Sequence, residues 1–327
     1  MSTSPKIAIF FLGGTISMAG HAGAVVRLGA AELIDSVPAL AELAVEVDAI
    51  DFRRIPSACL RSGDILELIS VAEQAVAGGA VGIVVVQGTD TIEETAYLID
   101  LLWRDDAPIV VTGAMRNPKL AGADGPANLL AAAAVAASAQ CRGLGALVVL
   151  NDEIHAARHV AKRHSTSPAA FVSPNAGPVG RIAEGAPLLT MTLARRRPLG
   201  RPQRIDAVVA LVSIVFDDAG VLLHGIEDRC DGVVIAGFGV GHVPDRLAER
   251  LGDIARHIPV VLASRTGAGP VLSRTYGFAG SETDLQARGL SSAGMLDPLK
   301  ARMLLSVLLA NGADRPAIAA AFAHPAG

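Results

Sequence analysis

Aromatic side chains are scarce in this chain: Phe, Trp and Tyr make up only 3% of its 327 residues. A core built around large rings is therefore excluded, and packing has to come from the Ala, Val, Leu and Ile that dominate a hydrophobic share of 51%. Charge is also sparse, at 18% of residues, with a net charge of −4 and a pI near 6.1. That excludes a nucleic-acid partner, for which a basic domain with a pI above about 9 is expected. The stretch from Arg195 to Arg204 is locally basic but has no interleaved aromatics, and it reads as a solvated linker. The three cysteines, Cys59, Cys141 and Cys230, are odd in number and match no metal or redox spacing. They read as buried small hydrophobes in a reducing compartment. The run Ile7–Leu12, preceded by the single charged side chain of Lys6, is too short for a secretory signal and reads as a first strand. No segment supplies the roughly 20 apolar residues of a membrane span. Leu129–Leu150 comes closest and is broken by Gln140, Arg142 and two glycines. The expectation is a cytoplasmic, soluble protein with no membrane partner.

What is present is an alternation of short apolar runs and helical patterns. Strands are expected at Ile7–Leu12, Gly82–Val86, Ile109–Thr112 and Ala146–Leu150, and helices at Ser62–Ala77, Ile92–Trp103 and Pro126–Ala139. Thr91 and Glu94 have the spacing of a capping box, and Pro126 sits in a first turn, where its missing N–H costs nothing. Alternation of this kind implies parallel βαβ units. The pattern lapses from Leu188 to Arg204, and residues 191–204 are expected to link a catalytic α/β domain (1–190) to a second α/β domain (205–327). In the latter, strands are expected at Val208–Val212, Gly232–Ala236 and Pro259–Ala263, and helices at Asp245–Arg256, Pro298–Ala310 and Pro316–Phe322.

The chemistry concentrates where apolar runs end. Val84-Val85-Val86 runs into Gln87-Gly88-Thr89-Asp90-Thr91, and Ile7–Leu12 runs into Gly13-Gly14-Thr15-Ile16. Ligands of parallel sheets bind beyond the carboxyl ends of the strands, which is where both segments place a threonine behind a glycine. Each residue has a plainer reading: Thr15 and Thr89 as helix caps, Asp90 as a turn residue, Lys162 as a solvated surface lysine. Together they offer more. A threonine hydroxyl is a poor nucleophile until a base takes its proton, and Lys162, if buried beside a threonine, is the candidate base. Asp90 can hold a substrate ammonium, and Gly88 leaves room for a ligand. His155 and His159 are four apart, as on one helix face, but Ala156 stands where a zinc-protease motif needs Glu, so no metal is expected. Gly237-Phe238-Gly239-Val240-Gly241 lacks the dinucleotide spacing and reads as a loop where backbone comes close to a small ligand or a neighbouring subunit.

Taken together, Gly13-Gly14-Thr15-Ile16, Gln87-Gly88-Thr89-Asp90-Thr91, Thr112-Gly113-Ala114-Met115-Arg116, Ala123-Asp124-Gly125-Pro126-Ala127-Asn128-Leu129 and Ser173-Pro174-Asn175 resemble the bacterial-type L-asparaginase family. The resemblance runs along nearly the whole chain. It implies a larger N-terminal flavodoxin- or Rossmann-like domain with a mostly parallel sheet and a smaller C-terminal α/β domain. It implies hydrolysis of a side-chain amide to an acid and ammonia through an acyl-enzyme, without a cofactor. By the same resemblance Thr15 is the primary nucleophile, and Thr89, Lys162 and Asp90 form a second catalytic group in which the lysine deprotonates the threonine. Asp90 also binds the substrate's α-ammonium, Ser57 its α-carboxylate, and the backbone of Ala114 the amide. Backbone N–H groups near Thr15 and Thr89 would form the oxyanion hole. A homotetramer of close dimers is implied, with sites completed by a neighbour's C-terminal domain.

The chain departs from the family pattern in ways that touch recognition. The family's loop tyrosine is missing: the loop Ala19–Val26 holds no phenol, both tyrosines, Tyr97 and Tyr276, lie elsewhere, and His21 is the candidate substitute. Ala58 replaces the usual polar residue after the serine, His242 stands where an Asn reaches across the dimer, and Glu282 is the candidate for the cross-subunit glutamate. Sites built for polar groups discriminate strongly, so these changes bear on the substrate more than on the reaction. The main expectation is an L-asparagine amidohydrolase. The alternatives are the same mechanism acting on glutamine, a D-amino-acid amide or a modified asparagine, or a catalytically weak amino-acid-binding homologue. A dinucleotide-dependent enzyme would need a fingerprint that is absent.

Overall fold

In a computed structural model of the chain, residues 4–14, 16, 18–19, 25–26, 29–194 and 197–323 are described. The chain divides into two units, residues 1–199 and 200–327. The first unit carries β1 (Lys6–Phe11), the short pair β2 (Met18–Ala19) and β3 (Val25–Val26), α1 (Ala30–Asp35), β4 (Glu46–Asp51), α2 (Ser62–Ala77), β5 (Ala80–Val86), α3 (Ile92–Leu102) and β6 (Ile109–Thr112). It continues with α4 (Gly125–Ala137), β7 (Ala146–Leu150), β8 (Glu153–Ala156), β9 (Ala161–Lys162), β10 (Phe171–Val172), β11 (Gly180–Ala183) and β12 (Ala186–Leu189).

Eight strands form one sheet in the order β12-β11-β8-β7-β6-β5-β1-β4. From β4 to β7 every pairing is parallel, as the alternation of strands and helices implies. The other edge is antiparallel, and its cause is local. Asn151 and Asp152 both take positive φ, 51° and 59°, between the paired Leu150 and Glu153. Two left-handed residues make the hairpin turn whose twist matches that of its strands. Glu184 and Gly185, at φ 50° and 76°, do the same between Ala183 and Ala186.

The shortage of aromatics shows in the packing. Helix α4 buries its alanine-rich stretch without a break from Ala131 through Ala134, Val135 and Ala136. Its backbone comes so close to the sheet that a Cβ on Gly82 would stand 2.6 Å from the carbonyl carbon of Ala136. Small side chains here replace ring packing by close approach of helix and sheet.

The second unit has β13 (Val209–Ser213), β14 (Gly232–Gly237), α5 (Asp245–His257), β15 (Val260–Ser264), α6 (Glu282–Ala287), β16 (Ser291–Ser292), α7 (Pro298–Ala310) and α8 (Arg315–Ala323). Its four-stranded sheet, β13-β14-β15-β16, is parallel throughout. Helix α5 buries Leu247, Ala248, Leu251, Ile254 and Ala255, the one-faced spacing of a helix lying on a sheet. The fold is thus mixed α/β with mostly parallel sheets, a larger N-terminal unit and a smaller C-terminal one. Among the described residues, no helix is long and apolar enough to cross a membrane.

Candidate active site

The site is assembled where two neighbouring parallel strands stop. Phe11 of β1 is in register with Val86 of β5, so Gly13-Gly14 and Gln87-Gly88 leave the sheet side by side. Gly14 has φ +95°, and a Cβ there would overlap Gly88 N and Cα and stand 2.8 Å from Gln87 C. A Cβ on Gly88 would stand 2.6 Å from Ser57 Oγ and 3.2 Å from Gly14 Cα. Neither position has room for a side chain, so the two turns meet backbone to backbone. Thr15, the next residue after Gly14, lies outside the described residues, as does His21.

Past Gly88 the chain enters a 3-10 turn, Thr89–Thr91, that runs into α3. Thr89 is buried, at 6% exposure. Lys162, on β9, reaches it from 73 positions away: Nζ donates to Thr89 Oγ1 at 2.9 Å and to Asp90 Oδ1 at 2.8 Å. The lysine side chain is 14% exposed and that of Asp90 is 70% exposed, so an ammonium shielded from water faces a carboxylate open to it. Burial of the lysine is favoured by that pairing. The arrangement gives the hydroxyl a lysine neighbour that, as the neutral amine, can take its proton, and it leaves the exposed edge of a carboxylate available to a ligand cation.

Ser57 opens a 3-10 turn, Ser57–Cys59, and is buried beside Gly88. Its carbonyl accepts from Thr91 Oγ1 at 3.3 Å, which in turn accepts from Gln87 Nε2 at 3.3 Å. Thr91 therefore makes no side-chain cap bond. The expected capping box is absent because the hydroxyl is engaged in tying the Ser57 turn to the end of β5. Ala114, two residues past β6, is buried. Its neighbour Gly113 lies against Gln87 and Thr89: a Cβ there would stand 3.3 Å from Thr89 Cγ2.

In the second unit, His242 Nε2 lies 3.1 Å from Glu282 Oε2. Glu282 is fully buried, and its Oε1 accepts from the backbone N–H groups of Thr275 and Tyr276 at 3.0 and 2.9 Å. Burial pushes its carboxyl pKa up, but these two amides and His242 stabilise the anion more, and the value ends below the ordinary one. The imidazole is packed edge-on against Tyr276 and Phe278, with ring centres at 4.9 and 5.0 Å. Glu282 thus orients His242, and the partly exposed imidazole is the group turned outward. Tyr97 is fully buried in α3, and Tyr276 belongs to this second unit.

Two readings change. Cys59 is exposed rather than buried, and His155 and His159 do not share a helix face, because His155 lies on strand β8, where its ring is buried against Ser173. Among the described residues no group of His, Cys, Asp and Glu could hold a metal ion. The Gly237–Gly241 segment folds on itself, with Phe238 N donating to His242 O and His242 N to Phe238 O, both at 2.8 Å. Its glycines allow close packing within the unit: a Cβ on Gly241, at φ +110°, would stand 2.9 Å from Val271 Cγ1.

The support beneath the site was not legible as such. Asn128 Nδ2 donates to Gly113 O at 2.9 Å, and its Oδ1 accepts from Asn151 N at 2.9 Å. Asp124 accepts from Met115 N and Arg116 N. The signal was the i, i+4 pair of polar residues at the head of an otherwise apolar helix. Gln87 is fully buried and accepts from Thr95 Oγ1 at 3.0 Å; a polar residue closing a continuous apolar run was its signal.

Comparison with known proteins agrees with this geometry. Residues 6–194 match the family described as "Asparaginase, N-terminal", and residues 208–322 match the "Glutaminase/Asparaginase C-terminal domain". A probable L-asparaginase of Deinococcus radiodurans is 37% identical, with 97% of each chain covered. An L-asparaginase of Bacillus licheniformis is 34% identical, covering 94% of this chain and 96% of that one. The crystal structure of a probable cytoplasmic L-asparaginase from Campylobacter jejuni superposes with a TM-score of 0.86 at 30% identity, covering 97% and 99% of the two chains. With strand ends, threonine turn and lysine disposed as described, and with both halves matched along nearly their full lengths, the chain belongs to the asparaginase family.

Proposed function

We propose that this protein hydrolyses the side-chain amide of L-asparagine to L-aspartate and ammonia through a threonine acyl-enzyme, without a cofactor. The observation that carries the reading is the shielded Lys162 Nζ held 2.9 Å from Thr89 Oγ1 and 2.8 Å from Asp90 Oδ1. With the proton on the other partner, the same contact is Thr89 donating to Lys162. Thr15 attacks the amide carbon and its hydroxyl proton leaves with ammonia. Water then opens the ester, returning the proton to Thr15 and leaving the carboxylic acid. Thr89 and Lys162 relay protons in these steps, a role worth about 10²- to 10⁴-fold in rate. The exposed edge of Asp90 binds the substrate ammonium, Ser57 its α-carboxylate, and the backbone around Gly88 and Ala114 the amide. His242, oriented by Glu282, replaces a shorter amide side chain at the recognition surface. A homotetramer, which the motif resemblance implies, and a cytoplasmic location, which the Campylobacter relative's description supports, belong to the same reading.

Glutamine is the second substrate to consider, because the C-terminal family is described for glutaminases as well as asparaginases. The test is ammonia release from purified protein given L-asparagine or L-glutamine, with Thr89→Val and Lys162→Met beside the wild type and thermal melts confirming folding. Release from L-asparagine, lost by a factor of about 10² or more in both variants, is expected. Folded wild type that releases no ammonia from L-asparagine refutes the substrate, and full activity in Lys162→Met refutes the base.

A further inference from the structure

Lys162 sits on one of the smallest ordered elements of the first unit. Strands β9 and β10 form a separate two-stranded sheet outside the eight-stranded one, with only Lys162 opposite Phe171 and Ala161 opposite Val172. One more bond, Arg163 N to Ala170 O at 2.7 Å, extends it. An isolated pair of strands is marginally stable in water, and a slip of one residue turns every side chain to the opposite face. Such a slip would take Lys162 away from Thr89. Something outside the hairpin must therefore fix its register.

The hairpin is part of an excursion that leaves the main sheet at the end of β8 and returns at β11, whose Gly180 pairs with Ile154 of β8. A buried pair of side chains bridges the start of the excursion and the end of the hairpin. His155 Nδ1 lies 3.0 Å from Ser173 Oγ. His155 belongs to the main sheet, in register with Val148 of β7, and Ser173 is the residue immediately after β10. Both are buried, at 0% and 6% exposure. The Ser173 carbonyl is also held, accepting from Ala176 N and Gly177 N at 3.2 and 2.8 Å, so the serine is a fixed point rather than a loose end.

The other side of the imidazole determines how this bond is made. Nε2 stands 3.2 Å from Glu153 Oε2, off the line of a hydrogen bond, and Arg181 Nη2 holds Glu153 Oε1 at 2.7 Å. Burial pushes the imidazole pKa down, with Arg181 acting in the same sense and Glu153 opposing. A neutral ring with its N–H toward the carboxylate leaves Nδ1 to accept the Ser173 hydroxyl proton.

We infer that His155 is a positioning residue for Lys162: with Ser173 it clamps the base of the β9–β10 hairpin to the main sheet and so holds the lysine at Thr89. The inference rests on the proposed role of Lys162. It assigns a function to two buried polar residues that touch none of the catalytic groups.

The test compares His155→Leu, Ser173→Ala, the double variant and His155→Asn, whose amide can still bond Ser173, with Lys162→Met as the control. Steady-state kcat and KM for ammonia release are measured per folded molecule. The expected result is a fall in kcat of about 10- to 100-fold in each clamp variant, as for small misplacements of a catalytic group. KM should stay near its wild-type value, the double variant should be no worse than the singles, and His155→Asn should recover most of the rate. If Lys162→Met is inactive while His155→Leu and Ser173→Ala keep full kcat, the clamp is overturned and the lysine's role stands. If their losses multiply in the double variant, the two residues act separately and the clamp is again overturned. If Lys162→Met is itself fully active, the reading of the site fails and the inference falls with it.

Discussion

Substituting Gly14 separates two effects that usually arrive together. Gly14 and Gly79 have nearly the same backbone angle, φ +95° and +101°. A Cβ on Gly79 meets nothing within 4 Å, whereas one on Gly14 overlaps the backbone of Gly88. Gly79→Ala therefore carries only the cost of a side chain in left-handed backbone, about 1–2 kcal/mol. Gly14→Ala carries that cost plus overpacking against a fixed neighbour, roughly 1–3 kcal/mol more. For a unit the size of residues 1–199, each kcal/mol moves the melting temperature by about 2–4 °C. Gly79→Ala should lower Tm by about 2–8 °C, and Gly14→Ala by about 4–20 °C. The contact term also acts on the site, because it pushes the end of β1 from the end of β5. Ammonia release should fall by up to about 10²-fold in Gly14→Ala, as for an ångström-scale misplacement, and should be unchanged in Gly79→Ala. Differential scanning calorimetry and steady-state kinetics on the two variants decide it. Equal loss of Tm in both, or full activity in Gly14→Ala, would show that the two strand ends do not depend on glycine-to-glycine contact.

Other consequences are as direct. Asn128→Leu removes the partner of Gly113 O and Asn151 N; the buried Gly113 carbonyl left unpaired, at roughly 1–3 kcal/mol, should shift a urea midpoint downward, while the Asn151 N–H on an exposed turn can turn to water, and an unchanged midpoint would show that the Gly113 bond does not matter. Acid should weaken the fold in two stages. His155 and Glu282 both have folded pKa values below their ordinary 6.5 and 4.5, so as pH falls the unfolded chain takes up each proton first. Stability should be intact above about 6.5, begin to drop through that value on account of His155, and drop again below 4.5 on account of Glu282. Urea midpoints between pH 3 and 8, about one unit apart, follow both stages; His155→Asn should remove the first and Glu282→Gln the second.

Periodicity and chain punctuation carried much of this protein openly. Apolar runs closed by glycine marked β1 and β5, and helices α2 and α7 occupy the segments their patterns indicate, because those signals depend on residues within one or two turns of each other. Asn151 and Asp152 reverse the chain and end the parallel run, which their positive φ shows and no sequence reading picked out. Short strands such as β8 and β11 are too brief for periodicity to register, so His155 could be set on a helix face until its strand was seen. Closest to function, the Lys162–Thr89 contact spans 73 positions, and no local pattern links them. Resemblance of motifs named both residues, yet distance, shielding and the His155–Ser173 clamp arise only when the sheet closes. Local sequence determines which strands end in reactive groups, and tertiary packing determines which of those groups meet, because a hydrogen bond depends on atoms within about 3 Å and not on their separation along the chain.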